Sequence, residues 1–493
     1  MSVLAIDCGT TGVTALVVDP DGLVVSRGYQ EFAQHFPEPG WVEHEPDEIW
    51  SAVLASCAAA LEGHTVSAIG ITNQRETAVL WDRQTLQAPR RAVVWQDRRT
   101  SHLCDHMREH EPRIAELTGL RLDPYFTATK LAWIRRHERT VWEGVSSGKT
   151  AVGTVDSYVI ARLSGGKSHV TDATNASRTL LYDLHTGGWS DELLELFGVP
   201  RSAVPEIVPS YGEVARTDPS AFLGLDLPIA GIAGDQQAAL FGQGCFEPGR
   251  SKCTYGTGSF VLVHTGTAPV LSPRLLTTVA LMAPDGTVTY ALEGAVFVTG
   301  AAVQWLRDGL EIVDTAADVE ALARQVDSSE GVVFVPALTG LGAPHWDPDA
   351  RGAILGITRG TTRAHLARAT LEAIAFQVRD VVEAMTAEAR CELPSLQVDG
   401  GAASNDLLCQ LQADQLGVPV DRPQVIETTG LGAAFLAGLG TGVWSSQREL
   451  QDIWKLDRSF APGQRDDEGY ARWGEAVRRT SSSWRPAAGE AHR

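Results

Sequence analysis

Apolar residues fall in short runs punctuated by glycine, and these runs predict strands. Val3-Leu4-Ala5-Ile6 is one run, Asp7-Cys8-Gly9-Thr10-Thr11-Gly12 a turn, and Thr14-Ala15-Leu16-Val17-Val18 a second run. Asp19-Pro20-Asp21-Gly22 closes it and Leu23-Val24-Val25-Ser26 follows, so the chain opens with a meander. The period then changes: Ile49, Trp50, Val53, Leu54, Ala58 and Leu61 recur at helical spacing, and Ala68-Ile69-Gly70-Ile71-Thr72 returns to strand. Strands alternating with helices predict an α/β fold with a partly parallel sheet. The opening pattern recurs at Ser251-Lys252-Cys253-Thr254-Tyr255, the turn Gly256-Thr257-Gly258-Ser259 and the run Phe260-Val261-Leu262-Val263-His264. Read as a repeat of a whole domain, it predicts two domains meeting near residues 242–249 around a cleft. Two unrelated hairpins would give the same pattern.

Between the two meanders lies the stretch with the clearest chemistry. Pro228-Ile229-Ala230 reads as a strand, Gly231-Ile232-Ala233-Gly234-Asp235-Gln236-Gln237 follows, and Ala238-Ala239-Leu240-Phe241 opens a buried helix. Asp235 therefore stands at the C-terminal end of a strand, where open α/β sheets bind ligands. A carboxylate held there can take a proton from a substrate hydroxyl. An Asp at this position also serves as a helix cap.

Composition narrows the partners. A chain of 493 residues allows about three domains, or two large ones. Its 41 Lys+Arg against 61 Asp+Glu leave a net charge of −20, which argues against nucleic acid and against an anionic membrane surface. Seven dispersed cysteines without a C-x-x-C pair read as reduced thiols. With no signal-peptide pattern at the N-terminus and no apolar run long enough to span a bilayer, the expected location is the cytoplasm. From Thr480 onward the Ser-, Ala- and Pro-rich composition is that of a disordered tail.

The two Gly-Thr turns are plausible phosphate hairpins, because glycine lets backbone N–H groups approach an anion and threonine adds donors. Asp7 at the first strand end could hold Mg²⁺, which prefers carboxylate, water and phosphate oxygens. A third glycine pair, Asp399-Gly400-Gly401-Ala402-Ala403-Ser404-Asn405, sits between a strand and an apolar helix and suits adenosine, with Asn405 as a polar contact. Neither a P-loop nor a G-x-G-x-x-G motif is present. Arg75-Glu76, just after a strand, can bind neighbouring hydroxyls or form a surface ion pair. Trp95, Tyr125 and Phe126 can wall a small polyol or belong to the core. His102, His106 and His110 fall at i, i+4 and i+8 on an expected helix; three residues in line cannot all reach one ion, so a polar face is the better reading than zinc.

Taken together, Trp41-Val42-Glu43-His44, Gly70-Ile71-Thr72-Asn73-Gln74-Arg75-Glu76-Thr77, Asp123-Pro124-Tyr125-Phe126, Gly153-Thr154-Val155-Asp156, Thr174-Asn175-Ala176-Ser177-Arg178-Thr179, residues 231–240, Tyr255-Gly256-Thr257-Gly258, residues 338–344 and Asp399-Gly400-Gly401-Ala402 resemble the FGGY family of carbohydrate kinases, and within it the members that act on glycerol. The resemblance runs from about residue 3 to about residue 460. It implies two actin-like (ribonuclease-H-like) domains around a catalytic cleft: residues 1–242 holding the acceptor and the first hairpin, residues 243–460 holding the nucleotide, then a C-terminal helix and tail over 461–493. It implies phosphoryl transfer from ATP, with Mg²⁺, to glycerol, and it is compatible with a homodimer or homotetramer. By resemblance, Arg75, Glu76, Tyr125, Asp235 and Gln236 hold hydroxyls, Trp95 and Phe260 pack on the carbon chain, Asp235 is the base and Asp7 the Mg²⁺-linked carboxylate. Thr10, Thr11, Gly256, Thr257, Gly300, Gln304, Gly401 and Asn405 would line the nucleotide.

Two positions depart from the family pattern. Thr14 stands where members acting on glycerol usually carry Arg, which removes a fixed charge and predicts weaker ATP binding unless another cation compensates. Residues 221–227 correspond to a Gly- and Arg-containing loop that binds fructose 1,6-bisphosphate in some bacterial members, but Asp226 stands in place of the Arg, which argues against an anion there. Competing readings are another polyol or sugar kinase of the same fold, and a non-catalytic nucleotide-binding sensor or polymer subunit.

Overall fold

The computed structural model describes residues 1–482. Two mixed sheets dominate it. The first is built from β1 (Ser2–Cys8), β2 (Gly12–Val18), β3 (Val24–Glu31), β4 (Val66–Asn73), β5 (Tyr211–Arg216) and β6 (Pro228–Gly234), in the order β5-β6-β4-β1-β2-β3. The second is built from β7 (Ser251–Tyr255), β8 (Ser259–Gly266), β9 (Leu276–Met282), β10 (Val288–Val296), β11 (Leu396–Asp399), β12 (Val420–Pro423) and β13 (Leu456–Phe460), in the order β9-β10-β8-β7-β11-β12-β13. In each, an antiparallel meander (β1-β2-β3; β7-β8-β10) leads into two parallel strands (β4 and β6; β11 and β12) and one further antiparallel strand (β5; β13), and the second sheet adds β9 antiparallel to β10. The repeat seen as strand, Gly-Thr turn, strand is thus a repeat of the whole sheet.

Helices close both faces. The face of the first sheet carrying Leu4, Ile6, Val13, Ala15 and Val17 packs on α1 (Pro46–Ala60). The opposite face, with Val3, Ala5, Leu16 and Val18, packs on α2 (Asp235–Gly242) and on a helix from far along the chain. Further on come α3 (Gly300–Asp308), α4 (Arg363–Ala389), α5 (Asp406–Leu416), α6 (Thr428–Thr441) and α7 (Asp467–Thr480). It is α6 that lies on the first sheet, so the two halves of the sequence are not separate packing units. The approach is close enough to require glycine: a Cβ on Gly70 would lie 1.9 Å from the Ala433 carbonyl oxygen, and one on Gly432 1.8 Å from that of Ala238. No side chain fits at such distances, so α6 meets both the first sheet and α2 backbone to backbone.

Two expectations need amendment. The helix expected to carry three histidines stops at His106, and Arg108–His110 forms a separate 3₁₀ turn, so His102, His106 and His110 do not share one helical face. No group of three or more metal-ligating side chains occurs among the described residues. The tail expected from Thr480 lies outside the described residues beyond Ser482; Thr480 itself ends α7, whose Trp473 and Val477 are buried against Phe376 and Val335. No described helix is long and apolar enough to cross a membrane.

Candidate active site

The parallel pairing sets the site. Asp7 on β1 stands opposite Thr72 on β4, which stands opposite Ala233 on β6, two residues before Asp235. Asp7 and Asp235 therefore come off the same end of the sheet, on strands separated by β4. Asp235 is the first residue of α2 and its side chain is not the cap; Gly234 occupies that position. Its Oδ1 accepts from its neighbour Gln236 N at 2.7 Å and lies 3.0 Å from Arg75 Nε. The capping role is thereby replaced by an ion pair with Arg75.

Arg75-Glu76 is not a surface pair. Both side chains are buried, and Glu76 is held at φ +61°, a strained backbone for a glutamate. Arg75 donates through Nη1 and Nη2 to Glu293 on β10, at 2.5 and 3.1 Å, and through Nη1 to Gln237 Oε1 at 3.2 Å. Arg178 donates to Glu76 Oε1 at 2.7 Å and to Glu293 Oε1 at 2.9 Å. Burial pushes the Glu293 carboxyl up, but Arg178 and Arg75 outweigh it and hold it below the usual carboxylate range. Two guanidinium groups and three carboxylates form one network, in which Asp235 is the most exposed member. Burial still pushes the Glu76 carboxyl up and leaves Arg178 Nη1 without a partner among the described residues, but the contacts to Glu293, Gln237 and Asp235 fix Arg75 before any ligand arrives.

The aromatic residues line one side. Trp95 meets Tyr125 edge-on with ring centroids 5.6 Å apart and Phe260 at 6.5 Å, so residues from both halves form the wall. Trp95 Nε1 donates to Thr10 Oγ1 at 3.0 Å, tying the wall to the first hairpin. Gln236 Oε1 accepts from the buried Lys252 Nζ, which also donates to Thr254 Oγ1 at 2.7 Å. An ammonium only donates, so this contact fixes the amide and leaves Gln236 Nε2 as its donor toward the cleft.

Asp7 differs from every other carboxylate here. Burial raises its pKa to about 7, and the charges acting on it are two more carboxylates, Asp235 and Glu427. On the opposite side, Gly256 and Thr257 form the second hairpin, whose carbonyl oxygens accept from Gly300 N and Ala301 N at the start of α3, both at 3.0 Å. A Cβ on Gly258 would lie 2.3 Å from the Val296 carbonyl oxygen, so that turn demands glycine. Thr11, Thr257 and Gln304 are exposed, and a Cβ on Gly401 would meet open space. Asn405 caps α5, its Oδ1 accepting from Leu408 N at 2.9 Å, which leaves its Nδ2 for any ligand.

Arg178, Glu293 and Lys252 escaped the sequence reading as functional partners. The available signal was weak: Glu293 and Lys252 are the lone charges in their strands. Asp226 of the loop at 221–227 pairs with Arg216 Nη1 at 3.1 Å.

Two Gly-Thr hairpins, a carboxylate at each of two strand ends and a buried charge network beside an aromatic wall are features that suit a kinase for small polyhydroxy acceptors. Residues 2–242 match the N-terminal domain, and residues 251–441 the C-terminal domain, of the FGGY family of carbohydrate kinases, and the chain belongs to that family. A glycerol kinase of Deinococcus radiodurans is 53% identical over 490 residues, covering 97% of both chains. A glycerol kinase of Myxococcus xanthus is 52% identical over 489 residues, covering 97% of this chain and 99% of the relative. Among solved structures, Plasmodium falciparum glycerol kinase with ADP matches with a TM-score of 0.90 at 32% identity, covering 97% of this chain and 98% of that one. A gluconate kinase from Lactobacillus acidophilus, 22% identical, shares the fold with a TM-score of 0.84.

Proposed function

We propose that this protein transfers the γ-phosphoryl group of ATP to a terminal hydroxyl of glycerol, giving glycerol 3-phosphate. The observation that carries this reading is the Arg75–Asp235 pair, 3.0 Å apart, set beside the aromatic wall of Trp95, Tyr125 and Phe260. Arg75 donates to a hydroxyl oxygen and Glu76 accepts from a hydroxyl, while Tyr125 and Gln236 add polar contacts. Trp95 and Phe260 cover the carbon chain. Asp235 orients the attacking hydroxyl and takes its proton as the phosphoryl group moves in line. Thr10, Thr11, Gly256, Thr257 and Gly300 surround the phosphates, and Gln304, Gly401 and Asn405 the nucleoside. Most of the acceleration then comes from position and electrostatics, since phosphoryl transfer needs little covalent help.

Asp7 is where we place the Mg²⁺ that accompanies the nucleotide. The residue fits that role, because a partly buried carboxylate acted on by two like charges gains most from a divalent cation. When bound, the ion neutralises charge on the β- and γ-phosphates. Seven free cysteines accord with a reducing compartment, and we place the enzyme in the cytoplasm.

The test is purified protein with MgATP and a panel of glycerol, longer polyols, pentuloses and gluconate, reading ADP release and the product. Glycerol-dependent release with glycerol 3-phosphate as product is the expected result. Turnover confined to a sugar, or none with any acceptor, overturns the reading.

A further inference from the structure

The proposed function brings a strongly anionic polyphosphate to the first hairpin, yet the cations nearest the chemistry are already committed. Arg75 and Arg178 are buried and shared among Glu76, Glu293 and Asp235. Lys252 is buried and gives two of its three donors to Gln236 and Thr254. Beside the hairpin, Asp7, Thr14 and Tyr29 stand in register across β1, β2 and β3, and Thr14 carries no charge. One step along the same face, Leu16 stands opposite Arg27. Leu16 belongs to the cluster packed on α6, so this row faces the second half of the chain.

Arg27 is uncommitted in a way the others are not. Its side chain is 51% exposed, and its Nε lies 3.1 Å from Oε1 of Glu427, itself 42% exposed and the residue just before α6. The guanidinium sits 5.7 Å from the centroid of the Tyr29 ring, which steers it along the strand row. The same ring reaches the hairpin, since a Cβ on Gly12 would lie 2.8 Å from Tyr29 Oη, so the pair stands beside the hairpin's end. A half-exposed ion pair is weak and readily exchanged, whereas a guanidinium on phosphate oxygens makes two parallel, charge-assisted bonds.

Resting on the kinase reading, we propose that Arg27 is a nucleotide-phosphate ligand of this enzyme. Glu427 holds it in the free protein and yields it to the polyphosphate. The pair then acts as a charge-exchange latch: one carboxylate leaves the neighbourhood of the phosphates' cation as the anion enters.

The experiment is calorimetric titration of ADP with Mg²⁺ into the wild-type protein, Arg27→Gln, Glu427→Gln and the double variant, with the KM for glycerol and the melting temperature recorded for each. Arg27→Gln is expected to weaken nucleotide binding about tenfold with the KM for glycerol unchanged. Glu427→Gln is expected to strengthen it a few-fold, with that gain reduced in the Arg27→Gln background. Nucleotide affinity of Arg27→Gln within twofold of wild type, in a folded protein, overturns the inference. Because binding is read without turnover, a wild-type protein that binds ADP but phosphorylates no acceptor defeats the functional reading separately.

Discussion

In the first sheet the strand-end carboxylate stands on the central strand: Asp7 of β1, opposite Thr72 of β4. In the second it stands one strand over: Asp399 of β11, opposite Thr254 of β7. The two topologies match, but the two carboxylates live differently. Asp399 is buried and accepts from Gln243 Nε2 at 2.9 Å and from Thr428 Oγ1 at 2.5 Å, which ties the start of α6 to the second sheet. Asp7 is burdened by burial and by two like charges. A duplicated fold has thus tied one carboxylate into the structure and left the other without such a partner among the described residues, which is what the proposed ligand role of Asp7 requires. The third strands differ in the same sense. Glu293 of β10 is sealed between two guanidinium groups, while β3 offers the half-exposed Arg27.

Breaking the sealed side has the largest expected effect. Glu293→Gln removes the carboxylate that the buried Arg75 and Arg178 share and leaves each guanidinium with fewer acceptors, so it should cost about 3–5 kcal/mol of stability, read by denaturant unfolding. A variant of wild-type stability would show that the network is not held by that carboxylate. Asp7→Asn should act on the other side of the comparison, lowering kcat with MgATP about 10²–10³-fold while leaving the melting temperature no lower than wild type. Asp399→Asn should show the reverse pattern: a loss of about 1–3 kcal/mol in stability, from a buried acceptor weakened, with the KM for MgATP near wild type. If Asp399→Asn lost nucleotide binding and kept its stability, the assignment of the two carboxylates would be inverted.

The smallest effect sharpens the comparison through pH. The Asp7 pKa is raised from 3.8 to about 7. In the free protein its contribution to stability is therefore present below pH 3.8 and is lost as pH rises through about 7. Ligand binding has the opposite sign, since a cation-bound nucleotide needs the carboxylate form. MgATP affinity should be level above about pH 7 and fall below it, by at most about tenfold per pH unit. Asp7→Asn should flatten that slope, and a slope that survives the substitution belongs to another group.

Local pattern made much of this legible. The meanders, both Gly-Thr hairpins and the placement of Asp235 at a strand end follow from short apolar runs and glycines, whose causes lie within a few residues. The charge network does not. Arg75 and Glu293 are 218 residues apart, and nothing in either strand announces the other. Arg75-Glu76 alone is equally a surface pair, and only its burial beside Arg178 decides the matter. The crossing of α6 onto the first sheet is likewise non-local, though Gly430 and Gly440, which lie against Leu16 and Ala230 of that sheet, are its trace. Lys252 reads as a strand charge until Gln236 is found against it.

The most direct test of the account separates binding from chemistry at Asp235. Asp235→Asn keeps the side-chain shape while removing the charge that meets Arg75 Nε and the base that meets the hydroxyl. Glycerol and ADP dissociation constants should be measured alongside glycerol-dependent phosphoryl transfer. The account predicts that the variant still binds both ligands within a few-fold of wild type and that kcat falls about 10²–10⁴-fold. A variant that turns over at near the wild-type rate would contradict it and place the proton acceptor elsewhere in the cleft.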